Sequence, residues 1–257
     1  DGRLVNAIYG FVSMLLKVME NRRPTALIVA DDGPGRYFRH DLLPQYKSEK
    51  VRVPQECDEQ MPMLRVALDA MAIPYMAAEG FEADDMIASL TARMREHGYH
   101  VYVCSRDKDL EQLLTEGVTL FNVTSGEEAT ADTVRAKRGV DPDQIPDMLA
   151  LTGDKVDSIP GVPGIGQKTA ARLLTQYGTL ENLLSHWHEI DGKLASVIGA
   201  RREQVLLAKR LTTLRRDVAV AAAPGVFDLH PPEKATMESV FRTLGLARLV
   251  DRFEATV

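Results

Sequence analysis

Cysteine is scarce: Cys57 and Cys104 are the only two in 257 residues. They lack metal-ligand spacing, which excludes a disulfide framework and a thiolate zinc cage. No run approaches the roughly 20 apolar residues that cross a membrane, and no apolar leader is present, so a reducing cytoplasmic setting without membrane contact is expected. Positive charge is also in deficit, 31 Lys and Arg against 37 Asp and Glu, a formal net charge of -6. Taken alone, that argues against a nucleic-acid binder, whose phosphate contacts leave a basic footprint. The objection weakens if the acids are concentrated at one site. Internal repeats and low-complexity tracts are absent.

What is present describes a globular protein: 45% hydrophobic and 26% charged residues in a length that fits one large domain or two small ones. Ala26 to Ala30 is a short apolar run delivered into Asp31-Asp32-Gly33-Pro34-Gly35, which reads as a buried strand and turn. His100 to Cys104 reads as a second strand and Val118 to Val123 as a third, after a short helix built on Leu110, Leu113 and Leu114. Between the first two, Met61 to Met71 and Ala83 to His97 carry apolar residues at helical spacing, stopped by Gly98. Strand, helix, strand implies a parallel sheet with helices on its faces. From Ala131 the pattern is helical: Ala131 to Arg138, Asp143 to Leu151, Lys168 to Tyr177, Leu180 to Ser185, and Lys193 to Leu211. The first residues lead directly into a helix, Val5 to Glu20, with no strand ahead of it.

Ligands of open parallel sheets bind beyond the carboxyl ends of the strands. Asp32 follows the first strand and Asp107 the second, with Asp109 two residues further on. Glu82, Asp84 and Asp85 occupy a helix start, where the dipole alone favours acids by about 0.3 to 1 kcal/mol each. With Asp154 and Asp157 the set reaches eight carboxylates, which capping does not explain. So many anions demand cations, and hard oxygen donors select Mg2+ or Mn2+ over zinc. Pairs of such ions about 3.5 to 4 Å apart are a recurrent device for phosphodiester cleavage, so nuclease chemistry leads.

"GVPGIGQKT" imitates a P-loop, but Gln167 separates Gly166 from Lys168 and no strand precedes it. What remains is a turn between helices in which Gly161, Gly164 and Gly166 allow close backbone approach. The next helix start, with Lys168 and Thr169, faces an anion such as a nucleic-acid phosphate. A plain helix-helix turn is the alternative. Arg36 to Arg52 interleaves Arg36, Arg39, Lys47, Lys50 and Arg52 with Tyr37, Phe38 and Tyr46. Basic grooves with aromatic platforms suit single-stranded or frayed nucleic acid, whereas a solvated basic helix is the bland alternative. Its place directly after Asp32 favours an arch over the acidic rim.

"AIYGF" (Ala7 to Phe11), "YFRHDLLPQYKSEK" (Tyr37 to Lys50), "EADD" (Glu82 to Asp85), "RDKDLEQLL" (Arg106 to Leu114) and "GDKVDSIPGVPGIGQKTA" (Gly153 to Ala170) occur in an order that resembles the 5'-nuclease family. That family comprises the 5'-3' exonuclease domain of bacterial DNA polymerase I and its flap endonuclease relatives, and the likeness spans essentially the whole chain. It implies an α/β fold: a PIN-like parallel-sheet core with helices on both faces, followed by a helical region containing a helix-three-turn-helix DNA-binding motif. The core would span residues 1–130, N-terminally truncated, with a helical arch near 36–60. The DNA-binding region would span 131–257, with its motif near 145–178.

By the same resemblance, Asp32 (or its neighbour Asp31), Glu82, Asp84, Asp85, Asp107, Asp109, Asp154 and Asp157 hold two Mg2+ or Mn2+ ions. Arg39, Lys47 and Lys50 steer the scissile phosphate. Arg36, Tyr46, Gly161, Gly164, Gly166, Gln167, Lys168 and Thr169 contact DNA, with K+ at the helix-three-turn-helix. The implied activity is metal-dependent 5'-3' exonuclease and flap endonuclease hydrolysis in replication and repair. Its substrates would be DNA flaps, nicks and 5' ends, including RNA primers on DNA, handled by a monomer in the bacterial cytoplasm near the nucleoid.

Three departures stand out. Ser158 and Val156 replace the usual Asn and Ser, and Lys50 replaces Arg, losing a planar fork. The family's first strand, which ends in an Asp-Gly metal ligand, has no counterpart here, and Asp1-Gly2 resembles that motif only superficially. The competing readings are therefore a non-catalytic DNA-flap-binding module and, on the same metal logic, a PIN-like ribonuclease.

Overall fold

The computed structural model describes residues 4–49, 54–190, 192–220, 223 and 225–256. Lys50, Arg52 and Asp1-Gly2 lie outside the described residues. Helix α1 (Asn6–Arg22) buries Ile8, Val12, Leu15, Leu16, Val18 and Met19 along one face and ends at Arg23 in the left-handed region. Strand β1 (Val29–Ala30) follows. The short helices α2 (Phe38–Leu42) and α3 (Gln55–Asp58) lead to α4 (Met61–Ala70), which delivers β2 (Tyr75–Met76) parallel to β1. Helix α5 (Ala83–Glu96) then leads to β3 (Val101–Cys104). A 3-10 turn (Lys108–Leu113) connects β3 to β4 (Val118–Phe121), parallel to it, and β5 (Glu128–Ala129) adds antiparallel at that edge.

Among the described residues the sheet is two ladders, β1-β2 and β3-β4-β5, rather than one. Val29 and Asp31 donate their N–H groups to Pro74 and Met76, both at 2.9 Å. Strand alternation therefore turns the amides of Ile28 and Ala30 to the opposite edge. That edge faces β3 across an apolar groove of about 400 Å³, roofed by Phe11, Met14 and Leu15 of α1 and floored by Ile87 and Leu90 of α5.

The second half is helical: α6 (Ala131–Arg138), α7 (Ile145–Thr152), α8 (Gln167–Tyr177), α9 (Leu180–Ser185), α10 (Lys193–Gly199) and α11 (Arg202–Thr212). The single helix expected from Lys193 to Leu211 is broken after Gly199, which packs so closely on Trp187 that a Cβ would lie 2.7 Å from the indole. Leu151, Leu173, Leu174, Leu180, Leu183 and Val205 form the centre of this half's core, which continues into Val103 and Leu120. Two further helices, α12 (Lys234–Thr243) and α13 (Val250–Glu254), return to the first half. Their Phe241 and Phe253 pack with Leu16 of α1 and Leu68 of α4.

Candidate active site: an acidic rim beside a glycine-rich hairpin

The rim is assembled by the ends of four elements. Gly33 lets the loop after β1 lie against the approach to α5: its N–H donates to Phe81 O at 2.9 Å, and a Cβ there would fall 1.7 Å from Ala78 O. That contact brings Asp32 Oδ1 within 2.8 Å of the Ala83 N–H, so Asp32 satisfies an amide of the first turn of α5. Asp107 caps the 3-10 turn by accepting from the Asp109 N–H at 2.9 Å. After α7, Asp154 and Ile159 exchange backbone bonds of 2.9 and 2.7 Å, closing a tight loop with Ser158 at φ 57°. The loop sets Asp154 in the interior and leaves Asp157 half-buried.

These carboxylates feel one another. Burial pushes Asp84 up to about 7, and the nearby charges of Asp107, Glu82 and Asp32 add to it against the opposing pull of Lys47. Burial likewise takes Asp109 up to about 7, reinforced by Asp107, Asp154 and Asp157 and opposed by Lys108. Asp157 is also raised, first by burial. Lys108 Nζ stands 2.6 Å from Asp154 Oδ2, and Lys47 Nζ bonds Glu82 and lies 3.8 Å from Asp157 Oδ1. Burial would lower Lys47, but Glu82 and Asp157 outweigh it and hold the ammonium charged.

The donor set fits divalent cations. It is all oxygen, as hard ions require, and Asp109 Oδ1 is buried without a hydrogen-bond partner. Among the described residues no three of these groups already close round one point. The rim is an open array of donors rather than a finished cage.

Three of the expected site residues are engaged with other protein groups. Arg39 is 2% exposed. Its guanidinium forks onto Asp85, Nη1 to Oδ2 at 2.6 Å and Nη2 to Oδ1 at 2.8 Å, reaches Glu82 Oε2 at 2.9 Å, and donates from Nε to Leu211 O at 2.8 Å. Asp85 in turn accepts from that fork and from the Arg215 N–H at 2.9 Å. Tyr46 is 4% exposed, so it offers no stacking platform. Its hydroxyl instead lies 3.0 Å from both Glu82 Oε2 and Asp157 Oδ2, bridging two rim acids. A buried hydroxyl, fork and backbone carbonyl convert part of the expected basic arch into the scaffold beneath the rim.

Lys47 remains at the rim, and Arg36 is exposed, donating to His40 O at 2.7 Å with Asp41 3.2 Å away. Lys108, between the two acids of its turn, was not singled out by the sequence reading, although its place in "RDKD" was a visible signal.

The hairpin follows Asp157 directly. Gly161 faces inward: a Cβ would stand 2.3 Å from the Thr152 carbonyl, so the turn is pressed onto the end of α7. Gly164, at φ 86°, faces open space, and Gly166 precedes α8. Gln167 and Lys168 are exposed and Thr169 half-buried at the start of α8, where unpaired amides meet the positive end of the helix dipole. The arrangement can hold an anion on the hairpin while presenting carboxylates a few residues away.

Residues 1–139 match the family described as 5'-3' exonuclease, N-terminal resolvase-like domain, and residues 140–235 match 5'-3' exonuclease, C-terminal SAM fold. The chain is 40% identical to DNA polymerase I of Bacillus caldotenax over 97% of its own length, and spans 29% of that protein. It is 34% identical to a 5'-3' exonuclease of Aquifex aeolicus, covering 95% of this chain and 84% of the relative. Among solved structures, a bacteriophage T5 flap endonuclease in a pseudo-enzyme-product complex with DNA and metal ions superposes with a TM-score of 0.72. Identity there is 25%, over 93% of this chain and 91% of that one.

Proposed function

The chain belongs to the 5'-3' exonuclease family, and on that premise we propose that it is a Mg2+- or Mn2+-dependent 5'-3' exonuclease and flap endonuclease. Its substrates are DNA 5' ends, nicks and flaps, and RNA primers joined to DNA, in replication and repair. Residues 1–130 carry most of the metal rim, and 131–257 complete it with Asp154 and Asp157 and supply the duplex grip, so one monomer holds both. The supporting observation is the crowding of Asp107, Asp154 and Asp157 about Asp109, whose buried Oδ1 has no hydrogen-bond partner, with Asp84 joined to the same rim through Asp107.

Two divalent ions held by Asp32, Glu82, Asp84, Asp107, Asp109, Asp154 and Asp157 would supply an activated water and stabilise the leaving oxygen. The chain's own groups do the rest. Lys47 balances Glu82 and Asp157, and its ammonium is placed to turn toward a phosphate once those charges are otherwise neutralised. Lys108 plays the same part for Asp154. The hairpin amides with Lys168 hold a duplex phosphate and fix how far the strand reaches toward the rim, and K+ bound at the hairpin would add positive charge there. Arg39 and Tyr46 keep Glu82 and Asp157 in place.

The test is cleavage of a labelled 5'-flap duplex. Cutting with Mg2+, none with chelator, and a loss of about a hundredfold or more after Asp84→Asn with Asp109→Asn is expected. Cleavage indifferent to chelator and to both substitutions overturns the reading.

The second reading is a non-catalytic flap-binding module, in which the same hairpin and rim hold the flap without cutting it. It requires flap binding in Ca2+ with no turnover at any Mg2+ or Mn2+ concentration.

A further inference from the structure

Glu111 sits on the 3-10 turn that carries Asp109, two residues along, and it is 6% exposed. Arg138, the last residue of α6, clasps it from Nε to Oε2 at 2.7 Å and from Nη2 to Oε1 at 2.9 Å. Both carboxylate oxygens are thus engaged in a planar fork that a lysine cannot reproduce. The remaining nitrogen, Nη1, lies 3.4 Å from Gln167 Oε1, and Gln167 Nε2 donates to Lys137 O at 3.0 Å. Gln167 opens α8, the helix whose N-terminus forms the hairpin's anion-facing end. Gly139 presses the end of α6 onto α8, where a Cβ would meet Ala171 Cβ at 3.3 Å. Helix α6 buries only Val134, and Val140 just beyond it enters the same core, so the polar contacts of Arg138 act together with a small apolar anchor in placing its C-terminus.

We propose that Arg138 is a positioning residue that fixes the distance between the DNA-gripping hairpin and the acidic turn, and so selects the nucleotide at which the strand is cut. The inference rests on the nuclease reading above. Successive nucleotides of one duplex strand are separated by about 3.4 Å along the axis. Play of that size between grip and rim moves the incision by one position, and smaller play misaligns the phosphate without moving the cut. Arg138 hydrogen-bonds neither Asp107 nor Asp109, so it acts through Glu111 on one side and Gln167 on the other.

The experiment uses a 5'-flap duplex with a fixed junction, cut in Mg2+ by the wild-type chain and by Arg138→Met, Arg138→Lys and Glu111→Gln. Incision is mapped to the nucleotide, kcat is measured, and duplex affinity is read in Ca2+. The expected result is a spread from one dominant position to its neighbours with kcat lowered about tenfold or more, while affinity in Ca2+ is unchanged because the hairpin itself is intact. Arg138→Lys, the conservative variant, shifts the pattern as Arg138→Met does, and the exchanged pair Glu111→Arg with Arg138→Glu restores the single position. Variants that keep the dominant position and the wild-type kcat overturn the inference, as does a fall in kcat that tracks lost affinity with the position unmoved. A wild-type chain that never cuts overturns the nuclease reading first and this inference with it.

Discussion

Arg39 and Asp85 meet in a buried two-bond fork, Nη1 to Oδ2 at 2.6 Å and Nη2 to Oδ1 at 2.8 Å, with neither side chain more than 2% exposed. The pair ties α2 to the first turn of α5, and the Arg39 Nε bond to Leu211 O carries the tie on to α11. Removing one partner strands the other charge in the interior.

Arg39→Met is therefore expected to destabilise the fold by about 3 to 5 kcal/mol, since an unpaired buried charge remains. Arg39→Lys recovers little of that, because an ammonium cannot serve Asp85, Glu82 and Leu211 O together. Denaturant midpoints of the two variants against wild type are the measurement. A near-neutral Arg39→Met would mean that the arginine is a surface cation after all.

Asp84 and Asp109 are both raised to about 7, chiefly by burial and then by neighbouring carboxylates. Their folded-state values lie above the unfolded ones, so between about pH 4 and pH 7 the native state binds more protons than the unfolded chain. Without divalent ions, stability is expected to fall as pH rises through that window and to level off above it. Mg2+ opposes the loss by favouring the ionised forms. Melting temperature against pH, with and without Mg2+, checks this, and Asp84→Asn with Asp109→Asn should flatten the metal-free curve.

Tyr46→Phe removes the hydroxyl shared by Glu82 and Asp157 without removing the ring. A destabilisation of about 1 to 3 kcal/mol is expected, with single-strand affinity unchanged. Filter binding of a single strand in Ca2+ separates this from a stacking role, which would weaken binding instead.

Lys168→Ala should weaken duplex binding in Ca2+ across unrelated sequences and reduce the slope of log affinity against log salt by about 1. The exposed ammonium beside the α8 N-terminus motivates this. Titrations at several salt concentrations provide the slope, and an unchanged slope would remove Lys168 from the phosphate contacts.

Much of the chemistry was legible because it is local. The acids of Glu82 to Asp85, Asp107 to Asp109 and Asp154 to Asp157 lie in short segments, and each segment sits at an element end that apolar runs and helical spacing had located. The strands centred on Val101 to Cys104 and Val118 to Phe121 and the helix from Ala83 follow the same logic. Two-residue strands such as Tyr75–Met76 and Glu128–Ala129 are too short to leave a period. The helix over Lys234–Thr243 does leave one, with Met237, Phe241 and Leu244 at helical spacing.

What the sequence determined by itself is the inventory and order of charged groups: which turns carry carboxylates, and that a glycine-rich hairpin follows the last pair. What only the tertiary structure decided is which charges cancel. Arg39, Tyr46 and Lys47 are neighbours in one basic, aromatic segment, yet Arg39 is buried against Asp85, Tyr46 bridges two acids from beneath, and Lys47 stays at the rim. Local sequence cannot separate them, because a charged side chain's role depends on how much water it keeps and which partner replaces that water. Glu111 and Arg138 likewise become a pair only when α6 is folded back against the acidic turn.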